Sequence, residues 1–337
     1  MTGTGPHRAV GVTPPPGVAL APVAAGSVSL RLYPHNDLPP EETVEEFRRQ
    51  AQAAREAGFD GVMTSEHHNG FGGYLPNPLQ AAGWALEAMK GGWAAPCPLL
   101  LTLRPAALVV EETAWLGARF PGRVGLGVAA GSLPADFLVM EADRDDRAQR
   151  FARGLETVAD ALSGRDPGPL DADPAVLACR ERPIPVVSAT MSLGAARRAA
   201  RLAVGVLFDS LSGVDRCRRL ADAYREAGGP GPVVMIRRVL MGSPPTEAHA
   251  RQLAVYRGYA EQSAQAHWSS DQLINGTDPR WVAGQLADAA WAGGADALNV
   301  RVHVPGMAPG EVAAQITALA DVVAALRSRF PVTSDPP

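Results

Sequence analysis

In Ala57-Gly58-Phe59-Asp60-Gly61-Val62-Met63-Thr64 a helix ends on glycine and an apolar strand begins at once. Upstream, Pro40 with Glu41 and Glu42 opens that helix, since acidic side chains suit the positive end of a helix dipole. Val44, Phe47, Ala51 and Ala54 then share one helical face. The glycine-then-strand join recurs at Gly122, Gly205 and Gly294. Strands are expected at Val28–Leu32, Phe59–Thr64, Leu99–Leu103, Arg123–Ala129, Ile184–Ser188, Val204–Phe208, Val233–Val239 and Ala297–Val304. They are apolar along most of their length, which suits a parallel sheet buried on both faces. Asn77-Pro78 and Asp278-Pro279 read as cap and first-turn pairs, and Ser192 caps a further helix. Val312, Ile316, Leu319, Val323 and Leu326 mark the last helix. A strand-then-helix rhythm repeated about eight times predicts an α/β fold, a single (β/α)8 TIM barrel, with an open doubly wound sheet as the alternative. The barrel is expected over residues 27–330, after a loose Pro-, Gly- and Ala-rich extension at 1–26 that does not read as a signal peptide. Residues 331–337 read as a tail, and Thr246–Ala292 as a long polar connection with helical stretches.

Composition narrows the chemistry. A net charge of −4 over 337 residues gives no basic footprint for nucleic acid and no polybasic membrane anchor. Lys90 is the only lysine, so Schiff-base barrel enzymes are poor readings. Cys97, Cys179 and Cys217 have no CxxC spacing, which fits a reduced cytoplasm better than a disulfide framework or a zinc site.

A barrel builds its site from the C-terminal strand ends and the loops after them. That rule selects Tyr33, His35 and Asn36, then Glu66-His67-His68 with the glycine-rich loop Asn69 to Pro76, then Thr102 and Arg104. It also selects Ala129 to Ser132 and Ser188 to Ser192. Glu66-His67-His68 is the densest polar cluster; hydrogen-bonded histidines that merely shape a loop are an even alternative. A metal site is disfavoured, because adjacent histidines on an extended segment point to opposite sides. Ser188 to Ser192 runs into a helix N-terminus, where free amides and hydroxyls suit an anion such as phosphate; an ordinary serine cap is the plainer reading. Gly125-Leu126-Gly127 has the wrong spacing for a dinucleotide fingerprint and is expected to let a flat ring approach the backbone.

Several stretches in order, Ala57 to Val62, Glu66-His67-His68, Gly73 to Leu79, Pro105 to Thr113, Gly122 to Val128, Arg150 to Glu156 and Ser188 to Arg197, resemble the bacterial-luciferase-like family of flavin-dependent monooxygenases. The likeness spans Ser27 to Phe330, although the family's glutamate-and-serine phosphate loop is replaced by Ser188 and Ala189. The resemblance implies a barrel, usually dimeric, that binds reduced FMN or a deazaflavin at the strand ends. The ring would lie near His67, Leu101, Thr102, Val128, Ala129 and Ala130, and the phosphate on Ala189, Thr190, Met191 and Ser192, beside Ser188. His67 is expected at the reacting edge, with His68 orienting it and Tyr74 and Arg104 contacting substrate. Gly70 to Gly73 is expected to act as a mobile flap. The implied activity is oxygenation of a small organic substrate by reduced FMN and dioxygen, with a separate flavin reductase. Rival readings are a deazaflavin-dependent hydride-transfer enzyme, a non-catalytic flavin-binding barrel and a metal-dependent hydrolase.

Overall fold

Gly58, Gly122 and Gly294 turn the chain from helix into strand at φ of +89°, +70° and +69°, a left-handed region that strains L side chains. At the fourth expected join the left-handed residue is instead Ala203, at +55°. Gly205 lies two residues on, at the start of a strand, where a Cβ would meet the Pro232 carbonyl oxygen at 2.6 Å.

The structure is a computed structural model that describes residues 19–259 and 272–329. Its strands are β1 (Val28–Arg31), β2 (Gly61–Thr64), β3 (Trp93–Pro96), β4 (Leu99–Leu100), β5 (Leu126–Ala129), β6 (Val186–Ala189), β7 (Gly205–Phe208), β8 (Val233–Met241), β9 (Leu273–Gly276) and β10 (Ala297–Arg301). They form one parallel path, β3-β2-β1-β10-β8-β7-β6-β5-β4, with β9 paired to the far end of β8. The ends of the path, β3 and β4, are halves of one strand interrupted at Cys97-Pro98. Ala94 exchanges backbone hydrogen bonds with Arg123 and Gly125 at 3.0 and 3.2 Å, which closes the seam into a barrel.

Two expectations are corrected. The third strand starts at Trp93, not Leu99, and Leu101–Leu103 is a 3-10 turn. The long connection after β8 contains β9, which went unread; its residues 260–271 lie outside the described ones.

The helices are α1 (Pro40–Glu56), α2 (Pro78–Ala88), α3 (Ala106–Arg119), α4 (Pro134–Val139), α5 (Arg147–Leu162), α6 (Pro174–Leu177), α7 (Leu193–Arg201), α8 (Val214–Glu226), α9 (Thr246–Tyr259), α10 (Pro279–Ala292), α11 (Pro309–Ala318) and α12 (Ala320–Arg327). Strand alternation sorts the core into two layers. Val62, Leu126, Val128, Val206, Phe208 and Leu298 face the helices. Met63, Trp93, Ala95, Cys97, Val187, Leu207, Val234, Ile236 and Ala297 fill the barrel itself. Glycines make room for the larger of these. A Cβ on Gly61 would sit 2.1 Å from the Trp93 ring, and one on Gly127 would sit 2.1 Å from Cys97 Sγ. Gly127 therefore serves barrel packing rather than the approach of a flat ring.

The expected loose extension is also corrected in its last part. Val23 is buried within the barrel's inner cluster, and Leu20 N–H donates to Asp60 Oδ1 at 2.9 Å. Burying a valine is worth roughly 1.5–3 kcal/mol, against roughly 1–2 kcal/mol for fixing one residue's backbone, so this residue anchors its neighbours. Residues 1–18 and the expected tail at 331–337 lie outside the described residues.

Candidate active site

Glu66 lies two residues beyond β2, bridged to Leu75, and its side chain is fully withdrawn from solvent. Its Oε2 accepts the Leu100 N–H at 2.7 Å, while its Oε1 meets His68 Nε2 at 2.9 Å and the Arg104 guanidinium. A buried carboxylate is tolerable only when its lone pairs are filled in this way. The cluster therefore fixes the loop. His68 Nε2 and Arg104 Nη2 are engaged by Glu66, while the Arg104 Nε is buried without a partner among the described residues.

His67 points the other way. Its Nδ1 lies 2.7 Å from Asp136 Oδ2, at the start of α4, and the backbone N–H of His68 donates to Asp136 Oδ1 at 2.9 Å. A carboxylate on Nδ1 assigns the proton to that nitrogen and makes Nε2 the basic one. The His67 ring packs 4.6 Å from Phe71 and 4.5 Å, edge to face, from Tyr74. Asp136, not His68, is the partner that orients His67, and sequence reasoning missed it. In the stretch expected to act as a flap, Asn36 accepts from Gly73 N–H at 2.8 Å and donates to the Phe71 carbonyl at 2.9 Å.

From Tyr74 a polar chain crosses the mouth. Its hydroxyl lies 3.2 Å from that of Tyr256 on α9, which in turn accepts from Arg301 at the end of β10. Burial, with the neighbouring Tyr256, pushes the Tyr74 phenol up to about 12. Tyr256 moves the opposite way. Burial alone would raise it, but the Arg301 charge, hydrogen bonds from Tyr74 and Arg301, and Arg238 outweigh that and lower it. Tyr33 and His303 stack below α9. Burial holds Tyr33 protonated, and burial plus Arg301 and His35 hold His303 far below the usual histidine range.

The remaining expected residues divide by strand alternation. Ala129 and Ala189 sit on adjacent strands at the mouth and are half-buried, and Ala130 follows. Val128 and Leu101 instead belong to the layer facing the helices. Leu101 packs on Gly154 of α5. As side-chain contacts for a ring in the mouth these two are corrected. Thr102 is buried and donates to the Ala130 carbonyl at 2.8 Å, so it shapes the small-residue run. Ser188 is buried, Thr190 donates back to the Ser188 carbonyl at 2.9 Å, and Ser192 accepts from Ala195 N–H at 3.2 Å as the cap of α7. Arg216 of α8, unread in the sequence, donates to the Met191 carbonyl, and its Nε is buried with no partner.

A closed parallel barrel with a hydrogen-bonded histidine–carboxylate pair at its C-terminal mouth has the architecture of (β/α)8 enzymes, whose active sites lie at that face. The family model for luciferase-like monooxygenases matches residues 23–325, and the chain belongs to that family. The uncharacterized protein y4wF of Sinorhizobium fredii is 29% identical over 189 residues, 53% of this chain and 54% of that protein's own length. The monooxygenase RslO1 from Streptomyces bottropensis aligns at a TM-score of 0.70 and 22% identity, covering 88% of this chain and 98% of that one. The oxygenating constituent of 3,6-diketocamphane monooxygenase from Pseudomonas putida, in complex with FMN, aligns at 0.67 and 18%, covering 88% and 97%. An F420-dependent secondary alcohol dehydrogenase aligns at 0.67 and 17%, covering 90% and 99%. The structural likenesses show the fold, and the family match shows an oxidoreductase of the luciferase-like monooxygenase family.

Proposed function

We propose that this chain is the oxygenating component of a two-component monooxygenase, using reduced FMN from a separate reductase to oxygenate a small organic substrate. The observation that carries this reading is the His67–Asp136 pair at the barrel mouth, where β5 and β6 end in a run of small residues. Ala129, Ala130 and Ala189 leave room for a flat ring. Met191, Ser192 and the N-terminus of α7 offer amides and the Ser192 hydroxyl to a phosphate, and the orphaned Arg216 Nε adds a cation beside them; Thr190 shapes this loop instead, its amide and hydroxyl being bonded to the Leu207 and Ser188 carbonyls. The residues present therefore fit a flavin mononucleotide. When bound, reduced flavin supplies the electrons that activate dioxygen.

The chain's own residues supply the rest. His67 Nε2 takes or returns a proton at the reacting edge, and Asp136 holds the tautomer. Phe71 and Tyr74 wall the imidazole from water. Tyr256 of α9 closes over the mouth from the other side. The same reading makes the enzyme a homodimer, as the family resemblance implies, and a cytoplasmic one, in keeping with its three free and buried cysteines.

The test is anaerobic mixing of the protein with reduced FMN, followed by oxygenated buffer with the flavin absorbance recorded. Reoxidation slower than that of free reduced FMN is expected. Reoxidation at the free rate overturns the reading. Binding of a reduced deazaflavin in that case moves the family's hydride-transfer chemistry to this chain.

A further inference from the structure

We propose that the barrel mouth holds an anion subsite for an organic carboxylate, built by Arg31 and Arg301 with Arg238 beside them. The proposal rests on the monooxygenase reading only in calling that carboxylate a substrate. The three arginines occupy one level of the barrel. Arg301 is in register with Arg238 across β10 and β8, and Arg31 follows Leu30, which pairs with Val300. All three are nearly fully buried. Like charges side by side on adjacent strands repel, and buried charges demand counter-charge or hydrogen bonds.

Arg238 is held by His249 and Gln252, but for Arg31 and Arg301 those demands are met only in part among the described residues. Arg31 donates Nε to Asn299 Oδ1 at 3.0 Å and Nη1 to the Cys97 carbonyl at 2.8 Å and to Ser65. Its Nη2 is buried without a partner. Arg301 reaches the Tyr256 hydroxyl, and its Nε is likewise unpartnered. No carboxylate among the described residues pairs with either. Glu66, a buried acid of the mouth, is already filled by His68, Arg104 and Leu100 N–H. The Tyr256 hydroxyl is the oxygen now offered to Arg301, and it stands where one carboxylate oxygen would.

A carboxylate presents two acceptor oxygens, which is the shape guanidinium donors match. The FMN phosphate has its own place at α7, on different strands. The arginines thus select the substrate's charge, and the subsite lies at the far end of the Tyr74–Tyr256 chain from His67, so the acid group would sit away from the reacting atom.

The experiment is titration calorimetry of the whole protein, with and without FMN, against matched acid and amide probes: benzoate and benzamide, 4-hydroxybenzoate and its amide, hexanoate and hexanamide. At least one acid is expected to bind roughly tenfold or more tighter than its amide, the scale of a charge-assisted hydrogen bond. Arg301→Gln should erase that preference with FMN affinity unchanged. Tyr256→Phe, which frees the Arg301 donor, should tighten acid binding, a gain that misfolding cannot imitate. Amides binding as well as acids, a preference surviving in Arg301→Gln, or FMN competing the acids away each overturn the proposal. Acid preference without any FMN binding would leave the subsite standing and sink the flavin reading instead.

Discussion

Asp136 decides which nitrogen of His67 is basic, and so it carries a prediction of its own. In Asp136→Asn the amide keeps the shape but can present either an acceptor or a donor to Nδ1, and the proton is no longer confined there. Product formed per FMN oxidised should fall at least about tenfold, and about a hundredfold or more in His67→Ala, the usual range for a positioned acid–base group. FMN affinity, read by fluorescence quenching, should be unchanged in both. Full coupling in Asp136→Asn would remove the dyad from the mechanism. At this scale the sequence showed half of the site. Glu66-His67-His68 is visible because three polar residues interrupt an apolar run. Asp136 is not, because it starts a short helix beyond β5 and only the fold brings it to His67. Arg31, Arg238 and Arg301 did leave a trace, an arginine within each of three largely apolar strands, but that trace means something only once those strands are known to be neighbours.

Elements were legible where a local signal has a local cause. Asn77 was read as a cap and is one, accepting from Leu79 N–H and Gln80 N–H at 3.1 Å each. Its replacement by alanine should lower the unfolding free energy by about 1 kcal/mol, measured as a shift in the urea midpoint at constant slope. No shift would mean that the free amides of α2 find water as readily as the side chain. β3 was illegible for the opposite reason. Gly91-Gly92 and the prolines Pro96 and Pro98 mark Trp93–Pro98 as a loop, and Leu99–Leu103 is the more apolar run. Pairing with β2 on one side and with Arg123–Gly125 on the other overrides that pattern. The proline interruption is tolerated because Pro98 sits where the strand breaks. β9 escaped because its partner, the far end of β8, extends past the point where the apolar run was judged to stop.

The molecule as a whole is a closed barrel whose interior changes character along its axis. Near the N-terminal end it is apolar, plugged by Val23 and Trp93; near the C-terminal end it carries arginines, tyrosines and histidines with few acids. This polarity has a consequence for global stability through His35 and His303. Burial lowers both, with Glu46 and Asp37 opposing it at His35, and with Arg301 and His35 adding to it at His303. Above the unfolded histidine pKa of about 6.5 both folded and unfolded chains hold these rings neutral, and they contribute nothing to pH dependence. As the pH falls below about 6.5 the unfolded chain binds protons that the folded chain refuses, so stability declines by up to about 1.4 kcal/mol per pH unit for each ring. The loss begins at mildly acidic pH, before most carboxylates titrate. Urea unfolding at pH 7.5, 6.5, 5.5 and 5.0 should show that decline. His303→Asn should decline less steeply than the natural chain over the same window, whatever its stability at pH 7.5. Parallel curves would mean that the mouth opens to admit the proton, and that α9 does not hold the barrel interior closed in the folded state.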